Sequence, residues 1–451
     1  MLHRRTRGMG RRAVVAGPGL TGLAIVLAAC GVGAARELPP LRTPETTVPP
    51  PTVAINPFAP DLVGSVVDSE PDATPAPTSA DAAPPSAPES GPDSTSASNA
   101  PTTVPVAVPV PTSPPGTFSI IVTGDLMGHI PIVDRASANT GGAGYDFAPM
   151  FRTVEPTISA ADLAICHLET PIAPPGTEID PVPPEYGIPA EMAVAIASAG
   201  YDRCSLASNH SMDKGSAGID ATLNALDAAG VGHSGMARTP AESASSVIDV
   251  AGVPVTHLSY TFSYNGRPAA NGESWRSNLI DPDRIVADAR AARADGARFV
   301  IVSVHWGAEG STAVLPDQRG WAEEITASGA VDLIVGHHAH VVQPIEQVNG
   351  TWVVFGLGNF LTAMSDTTKC CGIRGQDGMM VRIQVAIQAD GTFSVAQPQV
   401  IPTYVDRSDY TIVPVNAALA GEIGMGALDA GALTDSLDRT RNVVGPFIVE
   451  R

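Results

Sequence analysis

Positive charge is what this 451-residue sequence has least of: Lys and Arg number 26 against 46 Asp and Glu, a formal net charge of −20 at pH 7. A field of that sign repels phosphate backbones and anionic lipid head groups, which argues against nucleic acid as a partner. Aromatic residues are sparse as well, at 5%. Cysteine is confined to Cys30, Cys166, Cys204, Cys370 and Cys371, and this spacing contains no CxxC pair of the kind zinc ribbons and fingers use. Two of the later four sit in apolar strand-like runs, where buried free thiols are expected, and no disulfide is assigned. No internal repeat is present.

What is there begins with an export signal over residues 1–29: Arg4, Arg5, Arg7, Arg11 and Arg12, then an apolar run ending Leu27-Ala28-Ala29-Cys30. Pro18 and Gly19 interrupt that run, and it suits a permanent transmembrane helix poorly, since one needs about 20 apolar residues. The ending resembles a bacterial lipobox. That resemblance implies cleavage before Cys30, lipidation of its thiol, a short lipidated N-terminus over 30–36, and retention on the outer face of the cell membrane by the lipid alone. Residues 37–116 are Pro, Ser, Thr and Ala with scattered acids and no apolar periodicity, so they read as a disordered tether. Fully extended as polyproline II, they span on the order of 250 Å, enough to reach into a cell wall.

The pattern changes at Thr117. Short continuous apolar runs recur at 118–123, 163–166, 203–207, 253–258, 299–304, 331–335 and 352–355, as in buried strands. Helix-like stretches fall between several of them, at 189–198, 217–229, 284–294 and 318–328. Alternating strands and helices predict an α/β domain over 117–405, and Asn349-Gly350 adds a hairpin. Residues 406–451 form a C-terminal segment with a predicted helix over 416–441.

Polar residues collect at the carboxyl ends of these strands, the edge at which open α/β sheets bind ligands. The first strand ends in Gly124-Asp125, the second in His167-Leu168-Glu169, the third in Ser208-Asn209-His210, a later one in His305-Trp306-Gly307, and another in Gly336-His337-His338-Ala339-His340. Singly these are a turn, a cap or a satisfied core histidine. Together they mix carboxylate, amide and imidazole donors, the set that borderline divalent metals select. Crowded imidazoles gain nothing without an ion. On an acidic chain, a metal is also the natural attractor for an anionic substrate.

The series Gly124-Asp125-Leu-Met127, Leu168-Glu169-Thr-Pro171, Ser208-Asn209-His210-Ser-Met-Asp213, His305-Trp306-Gly307-Ala-Glu309, Gly336-His337-His338-Ala-His340 and Gly356-Leu-Gly358-Asn359-Phe360 resembles the CapA, or PGA-cap, family of poly-γ-glutamate capsule synthesis proteins. The match runs from about Thr117 to Tyr404. Such membership implies the fold of the related calcineurin-like metallophosphoesterases: α/β, a sandwich of two mixed β-sheets flanked by helices (αββα). It implies that Asp125 ligates a first metal, completed by His340, that Glu169 bridges, and that Asn209, His305 and His338 hold a second. His210 takes the place of the group that protonates a leaving oxygen, with Asp213 orienting it, and His337 ranks below its neighbours. One or two ions of Mn, Fe or Zn are expected. Two positions depart from the pattern. His167 replaces the usual Asn, as an extra ligand or a hydrogen-bond donor near substrate. Met127 stands where related phosphoesterases have a ligating His, with His129 two residues further on.

Further substrate contacts are expected from Glu309, Asn359 and the loop Lys369-Cys-Cys-Gly-Ile-Arg374, whose two cations suit an anion. The reaction class implied is hydrolysis of a phosphoester or a related displacement. The role implied is in making, exporting or anchoring an anionic envelope polymer of poly-γ-glutamate type, alongside membrane-embedded synthase components. The alternatives are a general extracytoplasmic phosphatase or nucleotidase, and a non-catalytic accessory subunit whose metal rim binds a polyanion.

Overall fold

The side-chain alternation of the strand Thr117–Leu126 decides the layering of the domain. In the computed structural model, which describes residues 116–269 and 272–449, Phe118, Ile120 and Val122 point to one side and pack with Phe299, Ile301, Leu333 and Val335 of a second sheet. Ile121 points the other way, into a cluster with Ile196, Ile219 and Leu223 from helices. A period of two places successive residues on opposite faces, so a strand apolar at nearly every position is covered on both. The leader, Cys30 and the tether as far as residue 115 lie outside the described residues. Among the described residues, no helix is long and apolar enough to cross a membrane.

The first sheet runs in the order Thr411–Pro414, Gln399–Asp406, Asp377–Ile387, Thr117–Leu126, Leu163–Leu168, Arg203–Ser205, Gly232–Ser234. Its last four strands are parallel, and its first four pair antiparallel. The second sheet runs Ile345–Val348, Thr351–Val354, Leu333–His337, Phe299–His305, Val253–Thr261, Val247–Val250, with a parallel centre and antiparallel edges. Both sheets are mixed, as expected. Helices Glu191–Ser198 and Gly215–Ala229 supply Ile196, Ile219 and Leu223 to the outer cluster on the first sheet. Pro282–Ala294 and Pro316–Ala327 supply Ile285, Ala289, Ala322 and Ile325 to the cluster on the second. Each of the latter pair opens on a proline, whose missing N–H costs nothing in a first turn. The result is an αββα sandwich.

Two expectations change here. The C-terminal segment is not one helix, and its boundary at 405 falls inside the strand Gln399–Asp406. Thr411–Pro414 adds an edge strand, and the helices Val415–Leu419 and Ala430–Val444 fold back on the sheet, with Leu433 and Val415 buried against Tyr404. Arg439 donates two hydrogen bonds to the buried Asp377, and Ser436 a third. The four cysteines among the described residues are also not free. Cys166 and Cys204 are register partners on adjacent parallel strands and are joined as a disulfide, and Cys370 is bonded to its neighbour Cys371. Register between strands 38 residues apart in sequence cannot be read from the residues themselves.

Candidate metal centre

Close backbone packing brings the strand ends together. A Cβ on Gly124 would meet the Gly358 carbonyl oxygen at 2.1 Å, and one on Gly336 the Phe355 carbonyl oxygen at 2.0 Å, so only glycine fits at either strand end. Asp125 and His337 follow these glycines directly. Beyond His337 the chain curls: His338 and His340 have φ of 85° and 55°, the left-handed region that non-glycine residues rarely occupy. This strained turn wraps around Asp125, to which the His338 amide donates at 3.2 Å.

The cluster that results is almost dry, with Asp125, His167 and Glu169 each 0% exposed. His337 Nδ1 lies 3.1 Å from Asp125 Oδ1, and His340 Nδ1 3.3 Å from Asp125 Oδ2. His340 Nε2 is 3.6 Å from Glu169 Oε1, and His305 Nε2 is 3.9 Å from the same oxygen. His305 Nε2 also meets Asn209 Oδ1 at 3.0 Å, while its Nδ1 faces His167 Nε2 at 2.9 Å. His167 stacks on His337 with centroids 4.0 Å apart, and its own Nδ1 meets Ser205 Oγ at 3.0 Å. Three groups have donor atoms within 4.8 Å of one another: Asp125, His167 and His337; His167, Glu169 and His305; Glu169, His338 and His340.

Electrostatics tests whether an ion suits this place. Both oxygens of Glu169 and Nδ1 of His338 are buried without a hydrogen-bond partner. A carboxylate left so costs several kcal/mol or more by the usual scales. Burial, with Asp125, Glu309 and Asp213 adding repulsion against the attraction of His340, pushes the Glu169 carboxyl well above its ordinary range. Burial holds His167 and His305 well below the ordinary imidazole value and His338 at about 3, so all three are neutral donors. Burial also opposes charge on His340, yet Glu169 and Asp125 override it and push that ring up to about 10. Asp125 stays ionised despite burial because His337 and His340 hydrogen-bond to it and His167 lies near. Carboxylate oxygens with no donor, set among neutral imidazoles, match what a borderline divalent cation requires, and the residues fit one.

Beside the cluster opens a cavity of about 480 Å³ whose walls include Met127, His129, Tyr186, His210, Glu309 and Lys369. His210 Nδ1 donates to Asp213 Oδ2 at 2.7 Å, and that oxygen also accepts the Tyr186 amide at 2.8 Å. The expected metal residues Asp125, Glu169, Asn209, His305, His338 and His340 thus come together, with His210, Asp213 and Glu309 adjoining. Others do not stand where the sequence suggested. His167 is wholly buried and belongs to two of the three donor groups, so it is not a substrate contact. His337, ranked low, sits directly on Asp125. Asn359 is 0% exposed and accepts from His340 Nδ1 at 2.9 Å while its amide donates to the carbonyls of His340 and Gly375, so its side chain is spent on His340 and the Gly375 carbonyl and does not line the cavity. Arg374 is exposed and lies with Asp377 and Arg439, away from this cavity, and only Lys369 of the two loop cations lines it. Met127 packs with Tyr186 and Met364 in an apolar wall, and the group around Asp125 draws its nitrogens from His167 and His337. Tyr186, in the short strand Glu185–Gly187, and Asn265, in a turn, also line the cavity, and no motif marks either.

Against known proteins, the model of the family "Bacterial capsule synthesis protein PGA_cap" matches residues 119–364. The PGA biosynthesis protein CapA of Bacillus subtilis is 32% identical over 215 residues, covering 46% of this chain and 52% of that protein. The capsule biosynthesis protein CapA of Bacillus anthracis is 30% identical over 175 residues, covering 38% and 42%. A Mycobacterium tuberculosis protein named "Probable polyglutamine synthesis accessory protein" is 29% identical over 216 residues, covering 45% and 56%. The chain spans about half the length of the curated relatives it matches. Among solved structures, the calcineurin-like phosphoesterase YfkN of Bacillus subtilis aligns with a TM-score of 0.41 at 16% identity, covering 73% of this chain and 98% of that one.

Proposed function

This chain belongs to the bacterial capsule synthesis protein PGA_cap family, and from that membership we propose that it is a metal-dependent hydrolase of phosphoester type. In this reading it acts in the synthesis, export or anchoring of an anionic envelope polymer of poly-γ-glutamate kind. The observation that carries the proposal is Glu169: a dry carboxylate with two unpartnered oxygens among four imidazoles, beside a cavity lined by His210, which is hydrogen-bonded to Asp213. Asp125, Glu169, Asn209, His167, His305, His337, His338 and His340 would hold one or two ions of Mn, Fe or Zn. A bound divalent ion supplies Lewis acidity there and lowers the pKa of water near neutrality.

The chain's own groups do the rest. Asp213 fixes His210 with the proton on Nδ1, so Nε2 is left to exchange a proton with the cavity. In its protonated form that nitrogen delivers a proton to a leaving oxygen. Tyr186, edge-on to His210 at 4.8 Å, packs the ring in place. The expected export leader, the lipid on Cys30 and the long tether fit the same role, because a polymer of the envelope is met outside the membrane.

A second reading is an accessory subunit that binds polyanion or a membrane synthase without catalysis. The accessory name borne by the mycobacterial relative favours it. The test uses the full chain loaded with Mn, Zn or Fe, metal content measured throughout, on p-nitrophenyl phosphoesters and on γ-glutamyl polymer. Hydrolysis lost in His210→Ala with metal retained supports the enzyme. Polymer binding without turnover under any metal supports the accessory role, and a protein that takes up no metal refutes both. Deleting the gene and assaying surface polymer then separates an envelope role from a general phosphatase.

A further inference from the structure

His129 follows a forced turn. The Gly128 amide donates to Thr170 Oγ1 at 3.1 Å, and a Cβ on Gly128 would strike Ile188 Cγ2 at 2.3 Å. The carbonyl of His129 then accepts from the amides of Ile132 and Val133 as the helix Ile130–Asn139 begins. The backbone at 129 is therefore set from both sides, and the imidazole lands on the cavity wall. There its Nδ1 accepts the Ala363 amide at 3.2 Å, and its ring stands edge-on to Tyr186 at 5.9 Å. A ring nitrogen that accepts a backbone N–H carries no proton, so in the neutral ring the proton sits on Nε2. Burial holds the ring neutral, at about 4. Nε2 has no hydrogen-bond partner among the described residues, and it belongs to a ring that lines the cavity together with His210 and Lys369. Lys369 makes no ion pair among the described residues either. A neutral donor and an unpaired cation on two residues that line one cavity beside the candidate metal centre are suited to a single oxyanion.

We propose that His129 is a substrate-binding residue whose Nε2–H, together with the Lys369 ammonium, holds an oxyanion of the substrate in the cavity beside the metal centre. This rests on the metal-centre reading above. The bland alternative is a structural peg, in which the ring serves only to anchor Ala363 and the wall it begins.

Amide isosteres separate the two. Glutamine superposes its amide on Nε2, and asparagine superposes its own on Nδ1. The probe is inorganic phosphate, titrated calorimetrically into the full chain loaded with Mn, with metal content and thermal midpoint measured for each variant. His129→Phe is expected to bind phosphate about tenfold more weakly, and His129→Gln to stay within about threefold of the native protein. His129→Asn should resemble the Phe variant. Long-range ¹H–¹⁵N spectra of the metal-free native protein should show the Nε2–H tautomer for this ring. The inference is overturned by an Nδ1–H tautomer, by native affinity in His129→Phe, by recovery in Asn but not in Gln, or by weak binding that tracks lost metal. Native loaded protein that binds no phosphate overturns it too, whether or not it cleaves the phosphoesters. That cleavage, measured separately, judges the proposed function on its own.

Discussion

His340 Nε2 stands 3.6 Å from a Glu169 carboxylate whose two buried oxygens have no hydrogen-bond donor. Without a cation the pair is frustrated, because burial pushes the Glu169 carboxyl well above its ordinary range while the ring beside it is pushed up to about 10. An ion that binds the folded chain alone stabilises it by RT ln(1 + [L]/Kd), about 4 kcal/mol at a thousandfold excess over Kd. Thermal unfolding of the full chain should therefore move clearly upward with Mn and back with chelator. Glu169→Gln removes the buried ionisable group but keeps the shape. Metal-free, it should be at least as stable as the metal-free native protein, while losing most of the gain from Mn. An equal response to Mn in both proteins would remove Glu169 from the centre.

The 2.7 Å contact between His210 and Asp213 makes a different prediction. Neither group belongs to the donor groups around Asp125 and Glu169. His210→Ala should lower turnover of a phosphoester by about 10² to 10⁴, the span typical of general acid–base groups, with metal content unchanged. Asp213→Asn should give a smaller loss, since an amide still accepts from Nδ1 but stabilises the protonated ring less. Metal lost along with activity in His210→Ala would show that this ring helps to hold the ion.

Much of this centre was legible because its donors come at the ends of apolar runs, where topology alone collects them. Asp125, Glu169, His305 and His340 needed no knowledge of side-chain direction. His167 and Asn359 did: a polar residue at a strand end can face the cavity or the ligands behind it, and only the packing of His337 over His167 and of Asn359 beneath His340 decides which. The strand Asp377–Ile387 was missed for a related reason. Arg382 and Gln384 interrupt its apolar run in sequence, yet they lie on the opposite face from Met379, Val381, Ile383 and Val385, which alternate into the core between the sheets. Arg374, grouped with Lys369 by closeness in sequence, parts from it at the 3-10 turn Gly372–Gln376.

Asn359 offers a test of that correction. Its oxygen fixes His340 Nδ1, and its amide is spent on the carbonyls of His340 and Gly375. Loss of such an outer partner typically weakens metal affinity 10- to 100-fold. Asn359→Ala should show this in a competition titration with a chelator, with phosphoester KM little changed once metal is saturating. Native metal affinity with a raised KM would return Asn359 to the substrate side.

A last prediction concerns pH and a histidine outside the centre. His257 is buried between the sheets, where Nδ1 accepts from Arg203 Nε at 3.4 Å and Nε2 therefore donates to Ser303 Oγ at 2.8 Å. Burial, and next the adjacent Arg203 cation, hold its pKa well below the ordinary 6.5. The folded chain thus refuses a proton that the unfolded chain accepts. Above pH 6.5 neither state is protonated and the ring contributes no pH dependence. Below it, stability falls by about 1.4 kcal/mol per pH unit until the folded pKa is reached. Urea unfolding of the metal-loaded protein between pH 7 and pH 5 should show this decline, and His257→Gln should reduce its slope by about one proton. The buried imidazoles of the centre contribute to both proteins alike, so the difference between them isolates His257. Identical slopes would mean that the folded chain protonates this ring after all, through water or movement between the two sheets.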